Sequence, residues 1–131
     1  MVQTTEKLAP PSAPAQWTIA QTIETLSRPL PKGLIKKKGQ FDYLPWQEAQ
    51  RILDKYAPGH YWEIREVKEM RDRVSVTGRL TLFCSDGTVA REAVGSAPSD
   101  SNNHADPVMT AEQSAFKRAC SRLGLGLGLK D

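Results

Sequence analysis

Eleven residues, Val74 to Cys84, limit the fold of this chain more than any others. Val74, Val76, Leu80, Leu82 and Cys84 share one parity, with Gly78 filling the gap between them. The other parity (Ser75, Thr77, Arg79, Thr81 and Phe83) is mostly polar. Successive strand side chains point to opposite faces, so one face of this strand lies in a core and the other in water. Ser85-Asp86-Gly87 follows at once and signals a hairpin. Thr88–Gly95 then reads as a returning strand. Tyr61–Glu69, which alternates loosely, reads as a preceding strand, with the first turn at Glu69–Arg73. Three strands joined by short turns make an antiparallel meander, and its apolar face needs a cover.

Helices on both sides supply that cover. Ile19, Ile23 and Leu26 recur at helical spacing behind Thr18 as N-cap, and Pro29 and Pro31 stop the run. Residues 32–40 (KGLIKKKGQ) read as a loop that carries a lysine triplet between two glycines. Pro45 suits a first helical position. Trp46, Ala49, Leu53 and Tyr56 follow at spacings of three and four, with Ile52 beside them, until Pro58-Gly59. Trp46 reads as core. Residues 96–107 are a polar loop rich in breakers. The last helix runs from Pro107 or Thr110 to Leu123, with Thr110 and Gln113 as a capping box and Phe116, Ala119, Cys120 and Leu123 as its inward stripe. Gly124-Leu-Gly126-Leu-Gly128 reads as a helix stop leading into a close-packed extended segment. It follows a helix, whereas a dinucleotide loop follows a strand. The expectation is an α+β domain, an antiparallel three-stranded β-meander packed against helices in the order α-α-β-β-β-α. Residues 1–15, polar with three prolines, read as a disordered tail. That leaves 16–131 as one domain.

Several classes of function find no support. No apolar run approaches the roughly 20 residues of a membrane span, and the N-terminus has no basic-then-apolar signal pattern. The expected setting is cytoplasmic and nucleoid-associated, with no membrane partner. Cys84 and Cys120 have no CxxC spacing and no neighbouring histidine, and read as buried thiols. His60 and His104 lack partners at ligand spacing. Glu63, Glu66, Glu69 and Asp72 alternate with Arg65, Lys68, Arg71 and Arg73, a pattern of cross-strand salt bridges more than of a two-metal site. The chain reads as a non-enzyme without metal or cofactor.

What remains is charge. The net charge is only +3. Residues 1–40 hold six Lys/Arg and two acids, and residues 41–131 hold twelve against thirteen. Binding a phosphate backbone therefore needs a local patch. One candidate is the last helix, where Arg118 and Arg122 are a turn apart, Lys117 lies about 100° round, and Ser114 and Ser121 share its side. On composition alone that face is a solvated surface with cations at the favourable end of the helix dipole. The other candidate is Lys36, Lys37 and Lys38, either a solubilising loop or a patch that follows a backbone. Tyr43, beside it, could stack on a base.

The order of motifs resembles a family. Phe41-Asp-Tyr-Leu-Pro-Trp46, a helix, Trp62-Glu-Ile64, Val76-Thr-Gly-Arg-Leu-Thr-Leu82, Ala93-Val-Gly95 and Ala115-Phe-Lys-Arg-Ala119 with a Leu-Gly close look like the Rad52 type of single-strand annealing protein. The likeness is strongest to compact bacterial and phage members, including DNA-end-protection proteins of the DdrA kind, and covers about residues 40–129. It implies a ring or filament of identical subunits that binds single-stranded DNA and anneals complementary strands, or protects 3′ ends, without ATP, in recombination and DNA repair. It also implies a single-strand-binding protein or recombinase as partner. The family's Lys-Arg pair falls on Lys117 and Arg118. Arg122 is one position displaced from a further basic residue, whose place Ser121 holds. A basic contact on the second helix falls on Glu48, and Arg51, one turn on, is the nearest cation. The resemblance reverses the weighting of the helix face. Three other readings stand beside it: a double-stranded RNA binding domain of order α-β-β-β-α, an oligomeric scaffold without catalysis, and a nuclease.

Overall fold

The alternation from Val74 to Cys84 is realised in a twelve-residue strand whose even positions are buried and whose odd ones are not. The computed structural model describes residues 9–99 and 106–129. Its elements are α1 (Ile19–Leu26), β1 (Lys36–Lys38), β2 (Phe41–Tyr43), α2 (Trp46–Tyr56), β3 (Tyr61–Glu69), β4 (Arg73–Cys84), β5 (Gly87–Pro98) and α3 (Pro107–Arg122). A 3-10 turn at Lys32–Leu34 precedes β1. The main sheet is antiparallel in the order β3-β4-β5, so the α+β meander stands as expected. Cys84 pairs with Gly87, which places Ser85 and Asp86 in the turn. A register shift between Ile64 and Glu66 bends β3.

Gly78 interrupts the apolar parity for a steric reason. A Cβ there would overlap the indole of Trp62, which crosses it and meets Phe116 edge to face at 5.3 Å. The same logic holds α3 against β5. A Cβ at Gly95 would overlap the backbone of Ala111 and Ala115. Small residues on both elements (Ala93, Gly95 and Ala97 against Ala111, Ala115 and Ala119) are buried and let helix and sheet approach closely. The core then fills with Leu26, Leu53, Leu80, Leu82, Leu123 and Leu125, each almost fully buried. Each such side chain contributes about 1.5–3 kcal/mol of transfer free energy. In α1 the Thr18 capping box is present, with Gln21 reaching back to the Thr18 N–H at 2.9 Å.

Several expectations need correction. The lysine triplet lies on a strand: β1 pairs antiparallel with β2. Gly39, at φ +64°, occupies the first position of the two-residue turn, and all three lysines are exposed, so no burial pattern betrayed the strand. The third strand of the meander continues past Gly95 to Pro98, because Ala97 still packs inward. The cap of α3 is Asp106. Its Oδ1 accepts from the Val108 N–H at 2.9 Å and the Met109 N–H at 3.4 Å, and Thr110 already donates to the Asp106 carbonyl inside the helix. The glycine-rich close is not extended. Gly124, Gly126 and Gly128 all have positive φ, and the segment turns on itself. Leu125 N–H donates to the Cys120 carbonyl and Gly124 N–H to that of Ser121, the bonding pattern of a glycine-terminated helix, and Leu125 is driven into the core. Trp46 packs against the core as expected, but it is only half-buried and also lines a cavity.

Candidate nucleic-acid interface

The β1–β2 hairpin aligns lysines with aromatic rings. Lys36 is the cross-strand partner of Tyr43, and Lys38 that of Phe41. Directly opposed residues project to the same face of a hairpin, so one face carries two rungs of a cation beside a ring. Lys37 points the other way and pairs with Asp42 at 3.2 Å. The next residue, Leu44, is buried and anchors the hairpin to the core. Pro45 then starts α2.

Helix α3 meets this face. The Nζ of Lys117 lies 5.3 Å from the centre of the Tyr43 ring, within cation–π range. Lys117 and Ser121, one turn apart, also line a small crevice with Leu44, Ala49 and Gly126. Lys117, Tyr43, Lys36 and Lys38 are therefore brought together. Phe41, 57% exposed, belongs with them. Sequence reasoning noticed Phe41 as an aromatic but did not select it, and the signal was its cross-strand position opposite the triplet.

The remaining cations face elsewhere. Arg118 is exposed and donates through Nη1 to the Val94 carbonyl of β5 at 2.9 Å, which lays it against the sheet edge. Arg122 is exposed in the last turn of α3. Arg51 pairs with Glu48 at 2.6 Å. It lines a groove of about 420 Å³ with Arg28 and Lys55, over Leu26, Leu30, Leu34 and Ile52. On the sheet, Arg79 donates to Glu92 through Nε at 2.9 Å, and Arg65 reaches Glu63 at 3.5 Å and Glu92 at 4.0 Å. The expected cross-strand pairing is therefore realised differently: Arg65 meets Glu63 on its own strand, Arg73 donates to Ser96 Oγ at 2.9 Å, and Glu92 of β5 is the acid that Arg65 and Arg79 share.

A second concavity of about 230 Å³ opens between α2, β3 and α3. Trp46, Trp62, Phe116 and Met109 wall it, with Gln50, Glu112 and Gln113. The Trp62 Nε1 donates to Glu112 Oε2 at 3.1 Å.

His60 is nearly buried, with Nδ1 3.1 Å from the Ala57 carbonyl and Nε2 3.3 Å from the Gln50 amide. His104 lies outside the described residues. Among the described residues no three His, Cys, Asp or Glu side chains are grouped to hold a metal, and no helix is long and apolar enough to cross a membrane. Cys84 and Cys120 are free and buried. Burial pushes the Cys120 thiol up to about 12, far from any nucleophilic range.

No family model matches the chain. Two curated relatives from Arabidopsis thaliana do. DNA repair RAD52-like protein 1, mitochondrial, is 34% identical over 117 residues, covering 85% of this chain and 66% of the relative. DNA repair RAD52-like protein 2, chloroplastic, is 35% identical over 119 residues, covering 85% of this chain and 60% of the relative. The chain is similar to RAD52-like DNA repair proteins over most of its length. It spans a little under two thirds of the length of these relatives. The similarity takes in 85% of the chain, a share large enough to include the Lys36–Tyr43 hairpin.

Proposed function

We propose that the chain binds single-stranded DNA and anneals complementary strands in DNA repair and recombination, without ATP or catalysis, as a homo-oligomeric ring or filament. The observation that carries this reading is the convergence of Lys117 with the Tyr43–Lys36 rung, on a chain similar to RAD52-like DNA repair proteins. Alternating cations and rings suit a single strand, because phosphates follow the charge and any base can stack. Arg118, Arg122, Lys37 and Arg51 face away from this rung, and the proposal assigns them to the path of the strand beyond it. Repetition of so few cations around an assembly gives a continuous track. The open edges of β3 and β5, with Tyr61, Ile64, Val67 and Val94 exposed, favour such self-association. The placement among compact bacterial and phage members, end protection, the nucleoid setting and a partner single-strand-binding protein or recombinase all belong to this proposal. The duplex-RNA reading is less favoured, since the first turn of α3 holds Pro107, Val108, Met109 and Thr110 and no cation.

The test is fluorescence anisotropy of a labelled oligonucleotide, together with annealing of complementary strands in the absence of ATP. Affinity is expected to fall steeply with salt and to vary little with sequence. Charge reversal at Lys117 and Arg118 together should abolish it. Undiminished binding by that double variant would show that the surface is wrong. Preference for duplex RNA in competition would show that the class is wrong. Light scattering with and without the oligonucleotide reads the assembly.

A further inference from the structure

We infer that the concavity between Trp46, Trp62 and Phe116 receives one unpaired nucleobase of the bound strand. The inference rests on the single-strand-binding reading and adds a site to it. Trp62 and Phe116 meet edge to face, at an interplanar angle of 79°, so the buried Phe116 holds the indole of the half-buried Trp62 upright at the wall of the concavity, where its exposed part can meet a third planar group. Trp46, only half-buried, supplies the facing wall from α2. The polar groups suit a base better than a phosphate or an aliphatic side chain. Glu112 spends one carboxylate oxygen on the Trp62 N–H and still has acceptor capacity for an exocyclic amine, while its charge repels phosphate. The side-chain amide of Gln113, which lines the concavity, offers both a donor and an acceptor.

Its position ties the concavity to the proposed track. Gln113 is one helical turn before Lys117, and Trp46 follows Tyr43 by three residues. A strand whose phosphates meet Lys117 carries its bases past this opening. The bases so held are turned away from a complementary strand, so each occupied site interrupts stacking at one nucleotide.

The experiment compares oligo(dC) with an abasic sugar-phosphate strand of equal length, on the full chain. Stacking and edge contacts should make the parent bind oligo(dC) more tightly. In Trp46→Leu, binding of oligo(dC) should weaken roughly 5- to 150-fold, with abasic binding unchanged. Gln113→Ala, at a half-buried surface position, should weaken oligo(dC) alone by a smaller factor and guards against misfolding of the tryptophan variant. Lys117→Glu should weaken both strands. Equal losses for the two strands in Gln113→Ala, or no loss in either variant, would overturn the site. A smaller assembly with unchanged base dependence would overturn it too, by assigning the concavity to a second copy's side chain. A parent that binds neither strand would refute the single-strand-binding reading itself, which the other outcomes leave standing.

Discussion

Replacing Gly95 with alanine tests the packing of α3 on the sheet. The carbonyl oxygen of Ala111 and the amide nitrogen of Ala115 stand where the new Cβ would go. Both are helix backbone and cannot rotate aside as a side chain would, so the helix must lift. A lift of about 0.5–1 Å forfeits a quarter to a half of the dispersion energy at each contact that it opens. Those contacts include Ala111 and Ala115 against Val76 and Ala97, which form one buried cluster. Overpacking costs about 1–3 kcal/mol, and a rigid obstacle puts this case at the upper end. Alanine recovers about 0.5–1 kcal/mol of the backbone entropy that glycine loses in a strand. The net loss is about 2 kcal/mol, which in a domain of this size lowers Tm by roughly 6–8 °C. Thermal unfolding followed by circular dichroism measures it. Gly33→Ala is the control, because nothing lies within 4 Å of that Cβ. It should be neutral or up to about 1 kcal/mol stabilising. A Gly95→Ala protein that melts within about 2 °C of the parent would refute the close-approach argument.

Other outcomes follow from single contacts. Leu53→Ala removes a fully buried side chain at the α2 interface and should cost about 2–5 kcal/mol by urea denaturation. Asp106→Ala removes the cap of α3 and should cost about 1 kcal/mol, whereas Thr110→Ala should cost far less, which would separate the two capping schemes. The Cys120 thiol stays protonated in the folded chain up to about pH 12 but ionises from about 9 when unfolded. The unfolded state then holds fewer protons, so stability is level below pH 9 and falls as pH rises through 9–12. Cys120→Ala should flatten that fall, and in the parent Cys120 should resist a thiol reagent at pH 8 without denaturant. Glu92→Gln breaks the exposed pair with Arg79 and should cost under about 1 kcal/mol.

The meander was legible because burial acts on alternate residues, and Val74 to Cys84 records that pressure at every second position. The helix periods of α1 and α2 were legible for the same reason, as was the inward stripe of α3. The lysine hairpin was not. Neither of its faces is buried, so Lys36–Lys38 carries no alternation, and only Gly39 hinted at a turn. The Asp106 cap was missed because Thr110-Ala-Glu-Gln offers an equally good local pattern, and only the length of helix that packs on β5 selects between them. Residue identity singled out Lys117 and Tyr43 separately. Their meeting depends on how Leu44 seats the hairpin beside α3, which is a tertiary fact. Arg118 and Arg51 illustrate the converse, since a carbonyl of the sheet edge, distant in sequence, draws the first aside and a carboxylate three residues away draws the second.

The hairpin β1–β2 has three residues on each strand and is not joined to the main sheet. An isolated two-stranded ribbon of that size is at best marginally stable in water, and the like charges of Lys36 and Lys38 share one face, so this one leans on the buried Leu44 and the Lys37–Asp42 pair. On the proposed single-strand-binding reading, a polyanion that meets Lys36 and Lys38 favours the closed hairpin. Linkage makes the effect reciprocal: whatever free energy an anion contributes to closing the hairpin, a closed hairpin returns as affinity for the anion. Substituting Gly39 would thus weaken binding without removing one charge, and amide exchange in Lys36–Tyr43 would slow on loading while that of β4 stayed constant. On that reading the lysines act as a clasp whose closure belongs to the binding event, with the sheet as its mount.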